Sequence, residues 1–145
     1  MNVQKLLIGG IVGGVAYFLL GWLLYGQLLH NFFVEHPGTA TNVDKPMEQF
    51  TWWALVLGNI LSGFLVAYIF LKAGVSSLAS GLVTGIVIGL LMAASYDCIV
   101  LGTTNIMSKH GALADTLAFT IMTGIVGAIV GAINGMGSGK NVSAT

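Results

Sequence analysis

Two acids flank a short polar turn in an otherwise apolar chain. Asp97 follows Tyr96 near the end of the third long hydrophobic segment, and Asp115 lies near the start of the fourth. Thr104 and Asn105 lie between them, and Asn59 interrupts the second segment near its middle. A carboxyl group can hold a proton or a cation, and hydroxyls and amides can complete the shell around it. A carboxylate within hydrocarbon costs at least about 2.5 kcal/mol, so it turns toward protein or water. Asp97, Thr104, Asn105, Asp115, Tyr96 and Asn59 are therefore the candidates for a polar ligand site. The competing roles are structural. Asn59 can serve as hydrogen-bonding glue between helices. Asp115, expected in the first turn of its helix, can bond free backbone amides and complement the helix dipole.

Other chemistry is thin. His30, Glu35 and His36 are weak candidates for a divalent ion, with Asp44 and Glu48 further on, but their spacing matches no strong metal motif and no metal is assigned. No Ser-His-Asp or Cys-His set, nucleotide loop or zinc motif is present, so an enzyme is not expected and no cofactor is implied. The single cysteine, Cys98, excludes an intramolecular disulfide. A net charge of zero gives no basic footprint for nucleic acid.

The elements that must position these residues follow from composition. The chain has 145 residues, 56% hydrophobic and 7% charged. A soluble domain carries about 25% charged residues, so this chain lacks the means to cover a surface facing water. Four apolar stretches, about 6–29, 50–71, 78–101 and 113–136, each reach the roughly 20 residues that a helix needs to cross hydrocarbon. None alternates as a barrel strand does. The expected fold is all-α and integral to a membrane. It has four transmembrane helices in one domain over 1–136, a polar outer loop over 30–49 and a flexible tail over 137–145. The first stretch is too long for a signal peptide and lacks a cleavage pattern, so it is read as a retained helix.

Charge sets the expected orientation. Lys5, Lys72 and Lys140 fall at segment ends that share one side, without acids. Lys45 and Lys109 share the other side with all five acids, giving net +3 against −3. The positive-inside rule then places both termini in the cytoplasm. Trp52 and Trp53, with Trp22 and Tyr25, read as anchors at the outer interface.

Small residues at spacing four mark the expected packing faces. They are Gly10 and Gly14 in the first segment, Gly81, Gly85 and Gly89 in the third, and Gly127, Gly131 and Gly135 in the fourth. Such ladders let helix backbones approach closely where packing replaces the hydrophobic effect. Ser76 and Ser77 can cap the third helix, and the short turn before it predicts a tight antiparallel hairpin of the second and third helices. The first and third segments align without gaps at an offset of 71 residues through Gly10/Gly81, Gly14/Gly85 and Tyr25/Tyr96, which suggests a duplicated helical hairpin. The second and fourth align more weakly. In that alignment Asp97 stands opposite Gly26. On a straight helix at about 100° per residue, Asp97 lies roughly 120° from the centre of the glycine face. The third helix then needs neighbours on two sides, or Asp97 must reach the headgroups.

The stretch SYDCIVLGTTNIMSKHGALADTLAFTIMTGIVGAIVG resembles the second half of small bacterial four-helix membrane proteins grouped as the domain-of-unknown-function 1761 family. Tyr96, Asp97, Thr103, Thr104, Asn105 and Asp115 occupy that family's Tyr/Phe-Asp pair, Thr-rich helix end and Asp-opened last helix. The segment LLGWLLYGQLL resembles its first helix. The outer loop here is longer than the family pattern. The resemblance implies the fold and a location in a bacterial inner membrane, and no chemistry.

Two functions are then expected to compete. The first is a non-enzymatic integral membrane protein, surrounded by membrane lipid, that works by helix-mediated association as a homo-oligomer or as an accessory subunit of a larger membrane complex. Three glycine ladders offer more close-packing surface than one bundle needs. The second is a transporter or ligand-binding protein for a small solute, linked to a proton through Asp97, with a polar site that opens outward.

Overall fold

A computed structural model describes residues 2–136; Lys140 and the tail over 137–145 lie outside the described residues. Helix α1 spans Val3–Leu23 and runs on as a π-helical turn over Leu24–Leu28. A short helix α2 follows at His30–Glu35. The three remaining helices are α3, Trp52–Ala73, α4, Leu78–Thr103, and α5, Lys109–Gly135. Each of the four long helices has the length and apolarity to cross a membrane. There is no strand among the described residues beyond one isolated bridge, Pro37 to Met107.

Local chemistry explains the boundaries. Asn2 caps α1 by accepting from the Lys5 amide at 3.1 Å. Ser77 caps α4 in a reciprocal capping box with Ser80, as the serines of that turn suggested. Helix α3 stops at Gly74, whose φ of 72° lies in the left-handed region that favours glycine. Ser108 caps α5 through the Gly111 amide at 3.1 Å. Helix α5 therefore begins at Lys109, a turn earlier than the apolar run suggests. Asp115 falls in the second turn and takes no capping role. This corrects the first-turn placement read from sequence.

The helices pack in the order α3, α1, α5, α4. The buried core lies around the two central helices, with Tyr17 of α1, Val66, Ala67 and Phe70 of α3, and Met122, Val126 and Val130 of α5. The short turn at 74–77 does not make α3 and α4 a packed pair: α3 lies along α1, and α4 lies along α5. Glycine explains the choice. A β-carbon built at Gly63 of α3 would fall 2.7 Å from the Gly14 Cα of α1. One built at Gly85 of α4 would fall 3.1 Å from the Gly124 Cα of α5, and one at Gly131 2.9 Å from the Gly81 Cα. Each small-residue face has found another inside the same chain. All three ladders are used this way, including Gly10 against the Phe64 ring, Gly89 against Thr123 and Gly135 against Ser76.

The α4 seam also overturns the two-sided expectation. Its buried residues are Gly81, Gly85, Gly89, Ala93 and Asp97, one unbroken ridge at spacing four. A straight helical wheel makes that ridge drift around the helix. A partner crossing along the i±4 ridge follows the drift and stays in contact with every member. Asp97 is thus the last residue of the glycine seam, which packs on α5. The other side of α4 presents Val83, Val87 and Leu91 as exposed apolar surface, as a lipid-facing helix does.

Candidate functional site

Asp97 is buried, with 2% of its surface exposed. It lies six residues before the end of α4, about 9 Å down at 1.5 Å per residue. Its Oδ2 accepts from the Thr116 hydroxyl of α5 at 2.6 Å, the short distance of a charge-assisted bond. Its Oδ1 is buried and has no partner. The seam positions it: with glycines below and Ala93 between, α4 and α5 are close enough for a short Asp side chain to reach a short Thr.

Asp115 stands beside this pair, six residues into α5. Its carboxyl is close enough to interact with both the Asp97 carboxyl and the Tyr25 hydroxyl. Tyr25 reaches it from the π-helical turn at the end of α1. A π-turn inserts a residue relative to an α-helix and rotates the following side chains, and such turns are frequent at functional sites. Tyr25 continues the ridge of Gly9, Gly13 and Tyr17 at spacing four and is stacked on Phe33 of α2 at 5.7 Å between ring centroids.

Above Tyr25 and Asp115 lies a cavity of about 490 Å³ that opens at the loop end of the bundle. The long loop forms its other walls through His36, Pro37, Asn42 and Asp44, with Ile106 and Met107 from the turn between α4 and α5. The long loop is docked onto that turn by three contacts. The Ser108 hydroxyl donates to the His36 carbonyl at 2.7 Å, the Ala40 amide donates to the Asn105 carbonyl at 3.0 Å, and Gly38 lies so near the Asn105–Ile106 peptide that no β-carbon fits. A second opening of about 330 Å³, between α1 and α4, also reaches Tyr25 and Asp115 and is lined by Met92 and Tyr96.

The sequence candidates divide accordingly. Asp97 and Asp115 converge. Tyr96 is 64% exposed and borders the side opening, at the margin of the site. Thr104 and Asn105 are exposed at the end of α4, where the Thr104 hydroxyl donates to the Val100 carbonyl at 2.8 Å. Their role is in the turn that receives the long loop. Asn59 lies on α3, apart from the acids, and donates to the Leu55 carbonyl of its own helix at 2.8 Å. The interhelical bond expected of it is not made. His30 and Glu35 are exposed, while His36 stacks on Phe32 at 4.3 Å and lies 5.5 Å from His110. No group of three metal-binding side chains converges among the described residues. Tyr25, Thr116 and Phe33 belong to the site but are not candidates on sequence alone, and Asp44, noted there only beside the weak metal candidates, lines the cavity. In the sequence Tyr25 reads as an interface anchor, although its spacing of four from Gly21, Tyr17 and Gly13 is a signal that places it on the packed face.

The fold and site define an all-α protein with four helices suited to crossing a membrane and an acid pair beneath a cavity at one end. Comparison with family models, with curated proteins and with solved structures finds no match for this chain.

Proposed function

We propose that this is an integral membrane protein that binds a small solute at the polar site formed by Asp97, Asp115 and Tyr25, as the binding step of proton-linked transport. One observation carries the reading: a buried carboxyl with an unpartnered oxygen sits behind a second acid that lines an open cavity. An acid in this position costs folding energy, and a structural pin to Thr116 needs only one of its oxygens. The charge asymmetry supports both termini in the cytoplasm, with the cavity facing outward. The likeness to the 1761 family supports a bacterial inner membrane. The test is thermal stability of the purified protein in micelles against a panel of small cations, neutral solutes and anions. At least one class raises Tm in the wild type and leaves Asp115→Asn unmoved. A panel in which no class shifts the wild type refutes the reading.

A second reading is association with further copies or a larger subunit. Its support is the exposed side of α4, which has only α5 as a substantial neighbour. The glycine ladders no longer add to it, because they face one another within the chain. Light scattering of the solubilised protein tests it, with a strict monomer counting against it.

A further inference from the structure

We infer that the solute is an organic monocation, such as a substituted ammonium ion, held by Asp115 and the aromatic wall of the cavity. The inference rests on the site proposed above and concerns the class of ligand that fits it. Charge comes first. The two carboxyl side chains on the cavity lining are Asp115 and Asp44, and no lysine lines it. The nearby lysine, Lys45, turns its ammonium toward the Thr51 hydroxyl at 3.5 Å. The remaining titratable groups on the lining are Tyr25, whose hydroxyl is beside Asp115, and His36, whose Nδ1 lies 3.0 Å from the Phe32 carbonyl. The start of α5 also borders the cavity, and a helix N-terminus ordinarily favours anions. Here the Gly111 amide is taken by the Ser108 hydroxyl and the Ala112 amide by the Ser108 carbonyl. The lining therefore selects positive charge.

The walls then separate a metal ion from an organic one. A divalent metal needs several convergent oxygen or nitrogen ligands, and no such group of three exists among the described residues. The cavity instead has Tyr25 and Phe33 stacked along one wall, and Ile106, Met107 and Val43 along others. Aromatic faces beside a carboxylate bind substituted ammonium ions, by cation–π attraction with the rings and Coulomb attraction to the acid. A volume of about 490 Å³ accommodates a small organic ion and excludes nothing of that size. Asp97 lies behind Asp115, with its Oδ1 unpartnered, and supplies a second carboxyl that the ligand does not touch directly.

The experiment is isothermal titration of the full chain in micelles with tetramethylammonium, choline and phenyltrimethylammonium. The controls are 3,3-dimethylbutan-1-ol, which is choline's neutral isostere, Na⁺, Mg²⁺ and acetate. At least one organic cation binds, and the neutral isostere and metal ions do not compete. Asp115→Asn weakens that binding about tenfold or more, and Phe33→Leu weakens it about threefold to tenfold. Asp44→Asn, at the exposed mouth, leaves the fold intact and reduces binding less than Asp115→Asn. Equal binding of choline and its neutral isostere, or binding of acetate or Mg²⁺ alone, overturns the cation assignment and leaves the small-solute reading standing. No binding of any probe, together with no shift of Tm across the wider panel, overturns both.

Discussion

Replacing Asp97 by asparagine distinguishes a structural acid from one held for another purpose, because the two predict opposite signs. Asparagine is nearly isosteric and keeps a carbonyl oxygen that can accept from Thr116, so the observed 2.6 Å contact survives in neutral form. The loss from that change is about 1 kcal/mol, the difference between a charge-assisted and a neutral hydrogen bond. Against it stand two gains. The orphaned Oδ1 position becomes an amide that can donate toward the neighbouring Asp115 carboxyl, contributing about 1.5–3 kcal/mol as a bond to a charged group. The substitution also removes one of two adjacent carboxyl groups, whose mutual repulsion when ionised opposes folding. The net expectation is stabilisation by about 1–2 kcal/mol, with loss of the solute-dependent rise in Tm. Reversible unfolding in mixed micelles by titration with dodecyl sulfate measures the first, and the solute panel measures the second. Asp97→Asn destabilised by more than about 1 kcal/mol, with solute protection unchanged, would refute the reasoning and make Asp97 a packing residue.

Three further outcomes follow from the packing and placement. Gly85→Leu drives a side chain into the Thr123–Gly124 backbone of α5, where even a β-carbon lies 3.1 Å from the Gly124 Cα; the same dodecyl sulfate titration shows a loss of about 1–3 kcal/mol or failure to fold. Tyr17→Phe deletes the buried hydrogen bond to the Thr123 hydroxyl at 3.0 Å and costs about 1 kcal/mol, read in the same titration, with solute binding retained because Tyr17 lies outside the site. On a Cys98→Ser background, an impermeant maleimide added to intact cells labels Thr41→Cys and leaves Ser76→Cys unlabelled until the membrane is opened; the reverse pattern overturns the cytoplasmic placement of the termini.

How much of this was legible in the residues depends on which physical rule governs each feature. Apolar length is a sum over about 20 residues, and it found all four spans to within a few residues at most ends. Glycine at spacing four correctly marked the close-packing faces, but it gave no pairing, since any small-residue face can accept any other. The pairing of α4 with α5 instead of α3 is a property of the assembled bundle. The wheel placed Asp97 off the glycine face because it treats the neighbour as parallel to the helix, whereas the contact follows the i±4 ridge. Asp115 was misplaced in its helix because the cap, Ser108, precedes the apolar run by several polar residues. Helix α2 and the docking of the long loop were not legible. They depend on Gly38 meeting one peptide of a turn some 70 residues away, and no local pattern encodes that contact.

The division of labour along α5 explains why an acid at Asp97 is more than a packing device. Glycine faces permit close approach but specify register poorly, since a smooth seam can slide. Directional hydrogen bonds specify it. Helix α5 carries such pins at three depths: Thr116 to Asp97 of α4, Thr123 to Tyr17 of α1, and Asn134 to the Val75 carbonyl after α3. The Lys5 ammonium also meets the Asn134 carbonyl at the terminal end. Tyr17 and Thr123 show what a pin requires, which is two neutral hydroxyls and one bond. A serine or threonine at position 97 could make an equivalent bond to Thr116 without an ionisable group. The carboxyl at this position supplies that bond and leaves Oδ1 unused; Asn134 also leaves its Oδ1 without a partner, but Asp97 does so at the end of the seam that meets Asp115, Tyr25 and the open cavity. The surplus lies where a ligand can reach its neighbour, which is why the site is assigned to binding and the other two pins to architecture.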